Sequence, residues 1–158
     1  MDAFLESIQQ TAVARFVGES GSLLGYPTIL FLHTLGLGMV AGLNAGLDLR
    51  LLGFGSRISL VPLERMFPLM WLGFFLAAVS GLLLLISDPV TRLHQVIFYV
   101  KLGFVALAVV NMQMIRNRIF RSDGVNADVV PAGGKRLAVV SLILWIGATT
   151  AGRLIAYI

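Results

Sequence analysis

The chain contains two histidines, His33 and His94, and both lie at or within long apolar runs. Ionisable side chains are costly in lipid and tend to mark function there. If each run is a helix, both imidazoles fall in the same half of a membrane. Their depths then differ by about 5–10 Å, at 1.5 Å of rise per residue. Two neutral imidazoles from two helices are what a b-type haem needs as axial ligands. Bis-His ligation leaves no open iron position and so favours electron transfer over oxygen chemistry. Copper is the alternative metal for His33 and His94, because imidazole suits it. Met66, Met70, Met112 and Met114 sit toward the opposite end of their runs, on the wrong side to complete such a copper site. A third reading leaves the histidines unrelated, one hydrogen-bonded in the interior and the other at the interface.

Other polar residues extend the pattern. Arg153 lies near the C-terminus in the same layer as the histidines. Its two-pronged donor geometry suits a haem propionate or a pairing with Asp88; the simpler reading is snorkelling to the interface. Lys101 follows His94 by seven residues, which puts it on nearly the same helical face and one layer deeper, where it needs an acceptor. His33 and Asn44 share a face of one run, with Asp48 close to it. No catalytic residue is expected. Walker, HExxH, GxSxG and EF-hand patterns are absent, and of the carboxylates only Asp48, Glu64 and Asp88 approach the apolar runs.

The elements that position these residues follow from composition. Of 158 residues, 58% are hydrophobic and 13% charged, with mean hydropathy +0.90. A soluble domain carries about 25% charged residues, so most of this surface does not face water. The fold expected is all-α, a single membrane domain: a four-helix transmembrane bundle preceded by a short amphipathic interfacial helix over residues 1–19. Spans are predicted at about 26–47, 66–86, 93–115 and 137–158, each near the length that crosses ~30 Å of hydrocarbon. Only helices satisfy the backbone of such runs in lipid. The first segment has neither a basic leader nor a long apolar run, so it does not read as a secretory signal. The last connection, with Gly124, Pro131, Gly133 and Gly134, reads as a flexible loop. The absence of cysteine excludes disulfides, thiolate metal sites and Fe–S clusters.

The net charge of +4 is a topology signal rather than a nucleic-acid signal. Arg50, Arg57, Arg65, Arg116, Arg118, Arg121, Lys135 and Arg136 fall in the first and third connections, against only Arg92 in the second connection and Arg15 in the N-terminal segment. Basic loops stay in the cytoplasm, so both termini are expected outside, which in a bacterial inner membrane means the periplasm. No basic groove interleaved with aromatics is present, and nucleic acid is not an expected partner. Gly38, Gly42 and Gly46 recur at four-residue intervals, as do Gly73, Ala77 and Gly81. Such stripes let helix backbones approach; packing within the chain is expected, with a homo-oligomer seam as the alternative.

Tyr26-Pro27, then Leu32-His33-Thr34-Leu35-Gly36, then Asp48-Leu49-Arg50-Leu51-Leu52-Gly53, and late in the chain Trp145 and Ala151-Gly152-Arg153-Leu154-Ile155-Ala156-Tyr157, form a recurring layout. It resembles a bacterial family of four-helix integral membrane proteins of unknown function, over nearly the whole length. More distantly it is similar to the CopD-type copper-resistance membrane domain and the HemJ-type protoporphyrinogen oxidase. His33 and Lys101-Leu102 match their pattern of a histidine early in one helix and a Lys-Leu pair in another. The HemJ likeness implies haem and the CopD likeness copper handling; the methionine-rich outer segments expected of copper transport are missing.

These readings converge on a haem-b-binding membrane protein of the bacterial inner membrane. It would pass electrons between a periplasmic redox partner and the membrane, as an electron-transfer or membrane subunit rather than a stand-alone enzyme. His33 and His94 would be ligands, Arg153 would hold a propionate, and Lys101 would support the site. The alternatives are copper or small-cation transport along His33, Asn44 and Asp48, and a non-catalytic anchor for a periplasmic enzyme. The orientation is testable with C-terminal reporter fusions. Alkaline phosphatase activity is expected, and bright cytoplasmic fluorescence of a fused GFP would reverse the topology.

Overall fold

The computed structural model describes residues 2–19, 23–121, 130, 133–155 and 157. Residues 122–129, 131 and 132 of the connection expected to be flexible, Gly21, and residues 156 and 158 of the last expected span lie outside the described residues. Helices α1 (Asp2–Gln9) and α2 (Ala12–Glu19) precede α3 (Tyr26–Leu52). A 3₁₀ turn, Val61–Arg65, leads into α4 (Met66–Ser87). Then come α5 (Pro89–His94), α6 (Val96–Ile115) with a π-helical turn at Arg116–Phe120, and α7 (Gly134–Leu154). Four helices, α3, α4, α6 and α7, are long and apolar enough to cross a membrane. The protein is a transmembrane helical bundle, and no strand occurs among the described residues.

The single interfacial helix expected over residues 1–19 is two helices, parted at Gln10 and Thr11, where the Thr11 hydroxyl donates to the Ile8 carbonyl at 2.7 Å. Such local side-chain bonds compete with the helical ladder. α1 packs on α5 and α2 on α4, with Leu5, Ala14 and Val17 facing inward.

α3 starts with Pro27 in its first turn, where a missing N–H costs nothing. It continues past the expected end at Leu47 to Leu52. Charge at Asp48 and Arg50 does not stop it, because both side chains are buried rather than facing lipid. It ends at Gly53, whose φ of 109° is a left-handed conformation that favours glycine. The Arg50 guanidinium then holds the returning loop, donating from Nε to the Ile58 carbonyl and from Nη2 to the Ser56 carbonyl at 3.1 Å.

The spans pack in the order α4, α3, α7, α6. α3 and α4 approach most closely. A Cβ on Gly36 would lie 2.6 Å from the Ala77 nitrogen, and one on Gly73 would lie 2.9 Å from the Gly36 oxygen. The stripe of Gly73, Ala77 and Gly81 therefore does face a neighbouring helix. The stripe of Gly38, Gly42 and Gly46 does not: among the described residues, nothing lies within 4 Å of a Cβ added at any of the three. Four-residue spacing defines a face of a helix but not what that face meets. The packed face of α3 runs through Gly36, Val40, Asn44, Leu47 and Leu51 instead.

α4 and α6 meet at the end that carries the basic loops. There Phe67 and Phe120 stack edge to face at 5.4 Å, and the Arg116 guanidinium lies over the Phe67 ring. Leu47, Leu51, Phe67, Met70, Met112 and Ile115 form a dry core in this basic half. The opposite half, the terminal end, has fewer fully buried side chains. Gly36→Leu is expected to destabilise the protein by at least ~1–3 kcal/mol through overpacking, with Gly42→Leu close to neutral. Thermal unfolding in detergent measures both, and equal losses would contradict the assigned face.

Candidate functional site

His33 projects from α3 toward α4 in the terminal half. Its Nδ1 lies 2.8 Å from the Ala77 carbonyl oxygen, which can only accept, so Nδ1 carries the proton. The Ser80 hydroxyl lies 3.3 Å from the same nitrogen while donating to the Leu76 carbonyl at 2.6 Å. These bonds fix the ring and its tautomer, leaving Nε2 as the nitrogen with a lone pair. Gly81 makes room, since a Cβ there would stand 3.0 Å from His33 Cε1. The same glycine-and-alanine face of α4 thus sets the helix spacing and seats the imidazole.

Lys101 reaches in from α6. Its terminal methylenes and Nζ cover Gly152 of α7, where an added Cβ would come within 3.4–3.6 Å of them. Lys101 makes no hydrogen bond or ion pair among the described residues. It is near enough to His33 on one side and to Arg92 on the other for their charges to interact. Arg92 comes from α5, with Nη1 donating to the Ile155 carbonyl at 2.9 Å and Nε 3.9 Å from an Asp88 oxygen. His33, Lys101 and Arg92 thus form a basic group spanning α3, α6 and α5, with Asp88 as the carboxylate beside it.

The other expected residues fall differently. His94 does not lie on the third span, because extended backbone at Gln95 (φ −82°, ψ 117°) ends α5 before α6 begins. His94 is exposed on α5, with Nδ1 at 2.6 Å from the Val90 carbonyl, and α5 packs chiefly on α1. The fold therefore does not set His33 and His94 on facing helices. Arg153 is exposed in the last turn of α7, and the aspartate considered as its partner, Asp88, sits by Arg92. Arg92 had registered only as a loop charge; its place four residues after Asp88 was the available signal.

Nearer the basic end, Asn44 and Asp48 are fully buried against α7. Met70 and Met112 are buried in the dry core there. Among the described residues, no three histidine, aspartate or glutamate side chains converge as a metal-binding group. Comparison with protein families, with curated proteins and with solved structures finds no match to this chain.

Proposed function

We propose that this chain is a membrane electron-transfer subunit that would hold a b-type haem in the terminal half of the bundle, with His33 Nε2 offered to the iron. The observation that carries this reading is the bond from His33 Nδ1 to the Ala77 carbonyl. Metal-ligating histidines almost always donate their other N–H to a carbonyl, carboxylate or water, which fixes the ring and raises its basicity. The residues around His33 fit the rest of the group. Lys101 and Arg92 supply positive charge for propionates, and exposed Arg153 stands at the rim. The half that carries them has fewer fully buried side chains than the basic half. The likeness of His33 and Lys101-Leu102 to the HemJ-type pattern points the same way.

When bound, haem would supply one-electron redox chemistry. The chain's own residues would bind it, orient it and balance its charge. With basic loops in the cytoplasm, the site would open toward the periplasmic face of a bacterial inner membrane, within reach of a periplasmic redox protein or a second membrane subunit.

Purified protein, expressed with haem supply, should show a reduced-minus-oxidised b-type spectrum. His33→Ala should abolish it, while Lys101→Ala and Arg92→Ala should weaken haem retention by about tenfold or more, the loss of a charge-assisted bond. His94→Ala tests the second expected ligand: a changed spectrum would give His94 a place at the iron, and an unchanged one would leave His33 as the single imidazole. A colourless protein that takes up no haem would discard this reading in favour of a membrane anchor.

A further inference from the structure

A second polar group lies deep in the opposite half, between α3 and α7. Asn44 and Asp48, one turn apart on α3, and Ser141 on α7 are all 0% exposed. The Ser141 hydroxyl lies 3.5 Å from Asn44 Oδ1 and faces the Asp48 carboxylate. Even so, among the described residues neither Asp48 oxygen has a hydrogen-bond partner of regular geometry, and Asn44 Nδ2 and the indole nitrogen of Trp145 have none either. Trp145 is one turn from Ser141 on the same buried face of α7. Arg50, the nearest cation in sequence, is committed to the loop carbonyls of Ser56 and Ile58.

A buried charged carboxylate without partners is among the costliest arrangements in a protein interior. Either a proton or a ligand that the side chains do not supply meets these oxygens. The side chains offer oxygen from a carboxylate, an amide and a hydroxyl, with no sulfur or imidazole, which is a donor set for a hard cation. Charge balance chooses its valence. One carboxylate neutralises one positive charge, whereas a divalent ion would leave an uncompensated charge at membrane depth. The donors left over, Asn44 Nδ2 and Trp145 Nε1, cannot touch a cation. They can donate to water oxygens in its remaining coordination positions, and bound water is the usual partner of such groups.

We infer that Asp48, Asn44 and Ser141 form a binding site for a partly hydrated monovalent metal cation, with sodium as its occupant. The ion ties α3 to α7 near the basic end. This site is separate from the His33 group and stands or falls independently of the haem reading.

Radiolabelled sodium retained by the purified full-length protein is the direct test. Wild type should hold sodium with choline chloride as the balancing salt, and Asp48→Asn should weaken retention by at least about tenfold, the scale of one lost charge-assisted contact. Ser141→Ala should weaken it less, and it serves as the second variant if Asp48→Asn fails to fold. In a Trp71→Phe background, sodium should also shift the emission of Trp145, because waters on the ion reach the indole. His33→Ala must keep both responses, which separates this site from the haem site. Failure of wild type to retain sodium would overturn the inference. So would retention unchanged in Asp48→Asn, or a Trp145 response to pH alone that sodium does not alter; the last result would assign the carboxylate a proton instead.

Discussion

The backbone contact between α3 and α4 governs the rest of the molecule. In lipid, helices gain nothing from burying apolar surface against one another, so close packing has to supply the attraction. Gly36 and Gly73 remove the side chains that would hold the helices apart, and the backbones approach at these two glycines. That approach has a chemical result as well as a mechanical one. It brings the Ala77 carbonyl to within 2.8 Å of His33 Nδ1. A wider crossing would leave the imidazole without its acceptor and the ring without a fixed tautomer.

Packing is divided along the membrane normal. The basic half is filled with leucine, methionine and phenylalanine and closed by the Phe67–Phe120 contact. The terminal half carries the three basic side chains and fewer fully buried groups. The two polar groups, around His33 and around Asp48, use opposite faces of this division. One shares a face with small residues on α4, and the other is sealed between α3 and α7.

The helical fold and its spans were legible because apolar runs of this length have one solution in lipid. The ends were harder to read. Asp48 looked like the start of a loop, yet the helix continues through it because the side chain is buried against α7 rather than facing lipid. His94 looked like part of a span, since periodicity cannot show the single extended residue at Gln95. Glycine spacing on α3 was visible, but the face it occupies was not. Gly36, quoted only as part of a motif, proved to be the contact, and Gly38, Gly42 and Gly46 did not. In the site, His33 and Lys101 stood out by their chemistry. Arg92, Ser141 and Trp145 did not, because their roles depend on partners far away in the chain.

The open glycine face of α3 bears on how this helix survives at all. In water, each glycine in a helix interior costs about 1 kcal/mol relative to alanine, and Gly38, Gly42 and Gly46 gain no compensating contact within the chain. Hydrocarbon removes that weakness, since an unwound backbone there would lose hydrogen bonds that nothing else can replace. The continuity of α3 is thus conferred by the solvent it is inserted into rather than by its own residues. During biogenesis, the segment that carries His33 at one end and Asp48 at the other becomes a stable rod only once the bilayer surrounds it.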